Sequence, residues 1–268
     1  MKKGLLFVLT MCMAAGMLSG CGHSSENAEN ASGESGNLLV VGVRTNLANF
    51  SSYNEEADTY YGFEDDLARS LAKMLGYDGV EFVGLLPEER EDALESGEVQ
   101  CLIAAYSETE ERTEKFDLSD PYYYDQGRVM VERSTLFEDY ADLQGATVAV
   151  RTGTTAQENL EQKLAGLGLI SQATDESLSG FLKIETMDTY EEMNSALDYG
   201  TVDALCADGC ITLPWLDEER RYFEDAYSDE DYVVATAKGS DLSAEVNEAL
   251  QTLMNDGTVD ELLLKWGV

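Results

Sequence analysis

Arginines in an otherwise acidic chain are the side chains with the clearest chemical potential. The 268 residues include 53 Asp and Glu but only 17 Lys and Arg, which gives a formal net charge of −36. Arg112 presents a planar guanidinium that can meet a carboxylate through two parallel hydrogen bonds. The alternative is an ion pair within one helix, because four carboxylates surround it: Glu108, Glu110, Glu111 and Glu114.

Three other groups have complementary chemistry. Ser107 can donate a hydroxyl hydrogen bond. The segment 153–155 (Gly-Thr-Thr) precedes a predicted helix, whose first backbone amides can bind an anion; a plain turn is the alternative. Asp208 ends a predicted strand and can supply a negative charge, or it can cap the helix predicted at Gly209.

Several function classes are excluded by composition. His23 is the only histidine, which removes Ser-His and Cys-His catalysis and the usual zinc sites. No Walker-type phosphate loop and no GxGxxG segment follows a predicted strand. The acidity also disfavours nucleic acid and anionic membranes as partners. The sequence therefore predicts no metal, no cofactor and no enzymatic activity.

The first 37 residues look like a targeting segment followed by a tether. Lys2 and Lys3 precede an apolar run at 5–17, which is too short to span a bilayer. The next residues, Leu-Ser-Gly-Cys at 18–21, resemble the lipobox of bacterial lipoproteins. This resemblance implies a signal peptide at 1–20, lipid on Cys21 and a flexible tether at 21–37. An ordinary secretory signal with a chance cysteine is the alternative.

Three cysteines remain after this segment, namely Cys101, Cys206 and Cys210. Their odd number argues against a closed disulfide framework. Cys206 and Cys210 either form a bridge or are buried thiols.

Strands and helices alternate along the rest of the chain. The first set has strands at 38–43, 80–83 and 99–105 with helices at 62–75 and 87–96. The second has strands at 147–150, 184–187 and 204–207 with helices at 156–164 and 190–197, followed by a strand at 233–236 and helices at 244–255 and 259–265. This order predicts two α/β units with a ligand groove at the carboxyl ends of their strands.

Nine segments in order resemble the type II periplasmic binding proteins of family 3, the amino-acid-binding branch of ABC importers. They extend over 38–268: VGVR at 41–44, GFEDDLA at 62–68, IAAYSETEER at 103–112, FDLSDPYY at 116–123, LQG at 143–145, GTT at 153–155, VDA at 202–204, NDGT at 255–258 and KWG at 265–267. The resemblance implies a two-lobed fold that closes like a Venus flytrap, each lobe a mainly parallel sheet flanked by helices. Lobe 1 would comprise 38–123 and 229–268, lobe 2 would comprise 124–228, and the hinges would lie at 122–126 and 228–232.

The resemblance also implies a ligand and roles for residues. Arg112, Ser107 and the backbone of Thr154 and Thr155 would bind the carboxylate of an amino acid, and Asp208 would bind its ammonium group. Further predicted site residues are Ala105, Tyr106, Phe50 and Arg151.

Two more cations bear on which amino acid is bound. Arg44 and Arg90 resemble the pattern of family members that bind acidic amino acids, which favours glutamate or aspartate, with glutamine next. The alternative for Arg90 is a solvated helix residue paired with Glu89 or Glu91. The chain departs from the family at Leu47, where an aromatic residue is frequent, and at Gln100, where many members have Asp. Stacking on the ligand then falls to Phe50 or Tyr106, or is missing.

The implied protein is a substrate-binding lipoprotein of an amino-acid importer. Its partners would be a small amino acid and a membrane permease, with the membrane contacted through the lipid anchor only and the protein monomeric. It would lie outside the cytoplasm, on the outer face of the cell membrane or on its periplasmic side. The alternatives are a sensing or surface-interaction protein, and a dehydratase-like enzyme, on the same fold.

Overall fold

The computed structural model describes residues 36–268. The predicted signal peptide, Cys21, His23 and all but the last two residues of the predicted tether lie outside the described residues. None of the described helices is both long and apolar enough to cross a bilayer.

The described elements follow the predicted alternation of strands and helices. The strands are β1 (Leu38–Val43), β2 (Asn46–Leu47), β3 (Ser51–Asn54), β4 (Thr59–Tyr61), β5 (Gly79–Gly84), β6 (Cys101–Leu102), β7 (Phe116–Leu118), β8 (Tyr123–Glu132), β9 (Thr147–Arg151), β10 (Lys183–Met187), β11 (Ala204–Asp208), β12 (Arg220–Tyr222), β13 (Ser228–Tyr232) and β14 (Ala235–Ala237). The helices are α1 (Phe63–Met74), α2 (Arg90–Ser96), α3 (Glu110–Lys115), α4 (Ala156–Gly166), α5 (Asp175–Ser179), α6 (Tyr190–Asp198), α7 (Gly209–Thr212), α8 (Asp241–Asn255) and α9 (Thr258–Trp266). Short 3₁₀ turns lie at Pro87–Glu89, Tyr140–Leu143 and Leu213–Trp215.

Two mixed sheets organise the molecule. The first has the strand order β5-β1-β6-β14-β7, and the second has the order β10-β9-β11-β8-β12, with β13 also paired to β8. The expected parallel strands form one side of each sheet, where β1 pairs with β5 and β6, and β9 pairs with β10 and β11. Antiparallel strands complete the other side. We call the parts built on these sheets the first-sheet half and the second-sheet half.

Strand order explains where a ligand site can form. In the first sheet, β1 is central, with β5 on one side and β6 on the other. In the second sheet, β9 is central in the same way, between β10 and β11. Connections that leave in opposite directions open a crevice at the carboxyl ends of the central strands. Arg44 directly follows β1, the segment 105–107 follows β6, and Arg151 and Asp208 end β9 and β11.

Some predicted elements have different bounds. The strand expected at 99–105 is limited to β6, because the chain turns before Ala105, whose φ of 46° lies in the left-handed region. The helix expected at 87–96 begins as a 3₁₀ turn, and the strand expected at 233–236 begins at Ala235. The small sheet β2-β3-β4 and the long strand β8 were not expected.

Two antiparallel strands connect the halves. β8 and β13 pair from Gly127 opposite Ser228 to Tyr123 opposite Tyr232. The segments expected to act as hinges, 122–126 and 228–232, thus lie within the paired part of β8 and β13 or directly next to it. Hinge motion and the lobe boundaries stay predictions.

All three remaining cysteines are free thiols, and Cys206 and Cys210 do not form a bridge. Cys101 and Cys206 are buried in β6 and β11. Burial also raises the pKa of the Cys101 thiol to about 12. These two cysteines therefore behave as small core residues.

Candidate functional site

Ten residues from both halves enclose a small cavity at the carboxyl ends of the central strands. It contains about 270 Å³ of unfilled space. Its lining residues are Arg44, Arg90, Ala105, Ser107 and Arg112 from the first-sheet half, and Thr154, Thr155, Tyr190, Asp208 and Ile211 from the second-sheet half.

Arg112 is held by groups that leave three of its five guanidinium N–H groups free. Its Nη1 donates to the carbonyl of Ser107 at 2.8 Å, and its Nε donates to Oε1 of Glu91 at 3.3 Å. The guanidinium carbon lies 4.0 Å from the centre of the Tyr106 ring. Because a guanidinium has five N–H groups, three are available for a ligand. The ion pair within one helix is not formed; the partner, Glu91, lies on α2.

Tyr106 lies behind the arginines and outside the cavity lining. Its ring contacts the guanidiniums of Arg112 and Arg90, the latter at 5.2 Å from the ring centre, and its hydroxyl donates to Glu91 at 3.1 Å. This side chain orients two arginines through cation–π contacts.

Arg90 is almost saturated by backbone carbonyls. Its Nε donates to Pro87, its Nη1 donates to Ala104 and Ala105 at 2.9 Å each, and its Nη2 donates to Gly153 at 3.3 Å. One N–H is left for a ligand. The contact with Gly153 reaches from the first-sheet half to the second. The alternative of a solvated helix residue is wrong, since Arg90 is only 2% exposed.

Arg44 is the least satisfied cation of the site. It is 2% exposed, its Nε has no hydrogen-bond partner, and its Nη2 contacts Oδ1 of Asn46 only at 3.4 Å. Its guanidinium lies 5.8 Å from the ring centre of Tyr190. A buried charge without partners is costly, so this arrangement calls for an anion.

Asp208 provides the only carboxylate of the lining. It accepts a hydrogen bond from the hydroxyl of Tyr232 and makes no side-chain bond to the start of α7. Oδ2 of Asp125 accepts from the amide of Cys210 instead, at 2.8 Å. Burial, and then the nearby negative charge of Glu230, raise the pKa of Asp208 to about 8.

Thr154 and Thr155 lie between β9 and α4. Oγ1 of Thr154 donates to the carbonyl of Arg151 at 2.8 Å, and the side chain of Thr155 makes no capping bond to α4. The first amides of this 11-residue helix therefore depend on water or a ligand for acceptors. Thr154 and Thr155 line the cavity from the second-sheet half, whereas Arg112 lines it from the first-sheet half.

A buried carboxyl positions the segment between β6 and Ser107. Oε1 of Glu64 accepts from the amide of Ala105 at 2.7 Å and from the hydroxyl of Tyr122 at 2.6 Å. These bonds hold Ala105 in its left-handed conformation, with its carbonyl turned to Arg90. Burial raises the pKa of Glu64, and the two hydrogen bonds, followed by the charges of Arg44 and Arg90, act in the opposite direction.

Two predicted site residues besides Tyr106 lie outside the cavity lining. Phe50 is fully buried and contacts the rings of Phe63, Tyr123 and Tyr232 edge-on. Arg151 donates to the carbonyl of Thr152 at 2.9 Å and lies 3.6 Å from Oε2 of Glu88.

Tyr190 and Ile211 also line the cavity, although neither was predicted as a site residue from the sequence. Tyr190 begins a helix in which Met193 and Leu197 are also buried, so its spacing is that of an ordinary core position. No signal in the sequence separates it from those neighbours.

The family model of the bacterial extracellular solute-binding proteins, family 3, matches residues 39–268. The chain belongs to this family. Among curated relatives, the ABC transporter glutamine-binding protein GlnH of Bacillus subtilis (strain 168) is 29% identical over 282 residues, covering 99% of this chain and 97% of that protein.

Solved structures of similar proteins share the two-lobed fold. An ancestral arginine-binding protein bound to arginine has a TM-score of 0.73 and 29% identity over 86% of this chain and 98% of its own. The ancestral amino acid-binding protein AncCDT-1, a precursor of cyclohexadienyl dehydratase, has a TM-score of 0.71 and 28% identity over 86% of this chain and 95% of its own. These relatives are binding proteins, and their names differ in the amino acid bound.

Proposed function

We propose that this family member is the substrate-binding protein of an amino-acid ABC importer and that its ligand is an acidic amino acid, glutamate or aspartate. The observation that carries the proposal is the charge of the cavity: three buried arginines face a single carboxylate, and Arg44 lacks a strong partner. Glutamine is the next candidate.

Each polar group of such a ligand has a complementary group in the cavity. The α-carboxylate would accept from Arg112, from the hydroxyl of Ser107 and from the backbone amides at Thr154 and Thr155. The ammonium group would donate to Asp208. The side-chain carboxylate would accept from Arg44 and from the remaining N–H of Arg90.

Charge balance favours an anionic side chain over a neutral or cationic one. Arg112 is already paired with Glu91, and Arg90 donates to four carbonyl oxygens. A zwitterion with a neutral side chain would therefore leave Arg44 as the lining arginine without a strong partner. An acidic side chain would supply that partner, whereas an arginine or lysine ligand would add a like charge at close range. Arginine binding, named for some relatives, is therefore not proposed for this chain.

Closure follows from the division of the site between the halves. Arg112 and Ser107 would receive the ligand first, and Asp208 and the start of α4 would then close over it, with motion at 122–126 and 228–232. Contacts made only in the closed state shift the population toward it. Lipid on Cys21 would anchor the protein outside the cytoplasm, where it would deliver its ligand to a membrane permease.

The test is a thermal-shift screen of the twenty amino acids on protein that lacks residues 1–21. A ligand in excess stabilises the folded state by mass action. We expect the largest increase in melting temperature with glutamate or aspartate, a smaller one with glutamine and none with arginine. A screen in which arginine gives the largest increase would contradict the proposed ligand, and no increase with any amino acid would contradict the proposed function.

A further inference from the structure

A close contact joins the two halves next to the cavity, at Gly153. A Cβ atom at this position would lie 2.6 Å from the amide nitrogen and 2.8 Å from the Cα of Glu88, on the opposite half. Real Cβ atoms do not approach backbone this closely, and Gly153 also has a φ of 73°. The closed arrangement therefore requires glycine here.

An ion pair lies beside this contact. Arg151, at the end of β9, has a side chain only 3% exposed, and its Nη1 lies 3.6 Å from Oε2 of Glu88. The carbonyl of Thr152 is its other partner. Without Glu88, the charge of Arg151 would stay buried with one neutral acceptor, which is unfavourable.

We propose that Glu88, Arg151 and Gly153 form a latch that stabilises the closed arrangement and slows ligand release. None of the three residues lines the cavity, and their hydrogen bonds with lining residues are accepted by backbone carbonyls, that of Arg151 from Thr154 and that of Gly153 from Arg90. Substitution of the Glu88 and Arg151 side chains leaves these carbonyls in place, so its effect on affinity is exerted through the equilibrium between open and closed forms. Arg151 is then a positioning residue and not a ligand-binding one. The effect on ligand release rests on the proposed function.

The ion pair is tested with Glu88→Gln and Arg151→Gln, singly and together, in the full chain purified in detergent. Each single variant should raise the Kd for glutamate about two- to tenfold through a faster dissociation rate, measured by stopped-flow mixing. The Kd of the double variant should rise by less than the product of the two single-variant factors, because both substitutions remove the same interaction. Asp92→Asn removes an exposed charge from α2 and should leave the dissociation rate unchanged. Wild-type rates in Glu88→Gln would overturn the ion pair's role.

The close contact is tested with Gly153→Ala against Gly168→Ala. Gly168 has a similar φ of 71° but open space at its Cβ. Both variants therefore carry the same kind of backbone strain and keep their backbone carbonyls, and Gly153→Ala alone adds the clash with Glu88. Both should lower the melting temperature of the ligand-free protein similarly. Only Gly153→Ala should raise the Kd, by more than about tenfold. Equal Kd values for the two variants would overturn the steric part of the latch.

A cross-link tests the contact without any ligand. The double variant Glu88→Cys/Arg151→Cys keeps glycine at 153, so the halves can still approach each other, and its two cysteines replace side chains that lie 3.6 Å apart at their ends. We expect a bis-maleimide to join the two cysteines within one molecule, seen as a mobility shift on a denaturing gel, while Glu88→Cys/Gly168→Cys and each single variant yield none.

These results separate the two proposals. Absence of the cross-link would overturn the latch whatever the ligand. A protein that forms the cross-link but binds no amino acid would contradict the proposed function and leave the contact standing. Binding of glutamate with wild-type dissociation in all latch variants would overturn the latch alone.

Discussion

Arg44 decides the choice of ligand at the level of single residues. Unlike Arg90, which donates four hydrogen bonds to carbonyls, it has one weak contact and an unpartnered Nε. Its position in the sequence, directly after β1, indicated that it lies near the site. How many hydrogen bonds each arginine makes depends on where backbone carbonyls lie in the folded chain, and the sequence does not show this.

Arg44→Gln should lower the affinity for glutamate by about 2–5 kcal/mol, the range for truncating one partner of a buried charge pair. The affinity for glutamine should change by less, since its side chain brings no charge. Isothermal titration calorimetry with both ligands measures the difference. Arg133→Gln, at an exposed arginine, is the control. An equal loss for glutamate and glutamine would contradict the role given to Arg44.

Asp208 makes ligand binding depend on pH. Its pKa is raised to about 8 in the ligand-free closed form, so below that pH its carboxyl is largely protonated and lacks the charge that pairs with an ammonium group. Binding must then displace a proton, and affinity should rise between pH 6 and 8, by at most about tenfold per pH unit, and level off above. Calorimetry at pH 7 in buffers of different ionisation enthalpy should show proton release. A Kd that is constant from pH 6 to 8.5 would exclude this linkage.

The same pKa has a consequence for stability. A carboxyl whose folded-state pKa lies above its unfolded value binds more protons when folded, so it lowers stability as pH rises from about 4 to about 8. The pKa of Asp65, raised by burial to about 7, acts in the same direction.

At the level of elements, sequence pattern predicted the parts that depend on local periodicity. Helix α1 has buried apolar residues at Phe63, Leu67 and Leu71, as its spacing indicated. β8 was missed because its partner β13 lies about a hundred residues later, and its polar segment 125–128 has no strand pattern of its own. Long-range pairing leaves little local signal.

The short helix α3 positions Arg112 and gives a prediction at this scale. Oγ1 of Thr109 caps the helix by accepting from the amide of Arg112 at 3.1 Å. Thr109→Ala should lower the free energy of unfolding by about 0.5–2 kcal/mol and also weaken glutamate binding, since the cap bond is made by Arg112 itself. Urea denaturation and calorimetry measure the two effects. Thr109→Ser keeps the cap and should retain both; if it behaves like Thr109→Ala, the cap is not the cause.

At the scale of the whole molecule, the division of the site between two sheets predicts a change of shape. The family resemblance supplied the two-lobed fold, and eight of the predicted site residues line the cavity. The cross-half contacts of Gly153 and Arg151 could not be predicted, because they depend on how the halves meet and not on either half alone.

Small-angle X-ray scattering should detect closure. Saturating glutamate should reduce the radius of gyration, because contacts from Asp208 and α4 to the ligand form only in the closed state. Gly153→Ala should reduce this change. An identical radius with and without ligand, in protein shown to bind it, would mean that the halves do not move.

The most direct measurement is a crystal structure of the protein grown with L-glutamate. We expect one glutamate in the cavity, with its α-carboxylate on Arg112, its ammonium group on Asp208 and its side-chain carboxylate on Arg44. A glutamate bound elsewhere, or one in the cavity with Arg44 turned away from it, would contradict the claim that buried, unevenly satisfied arginines select an acidic amino acid.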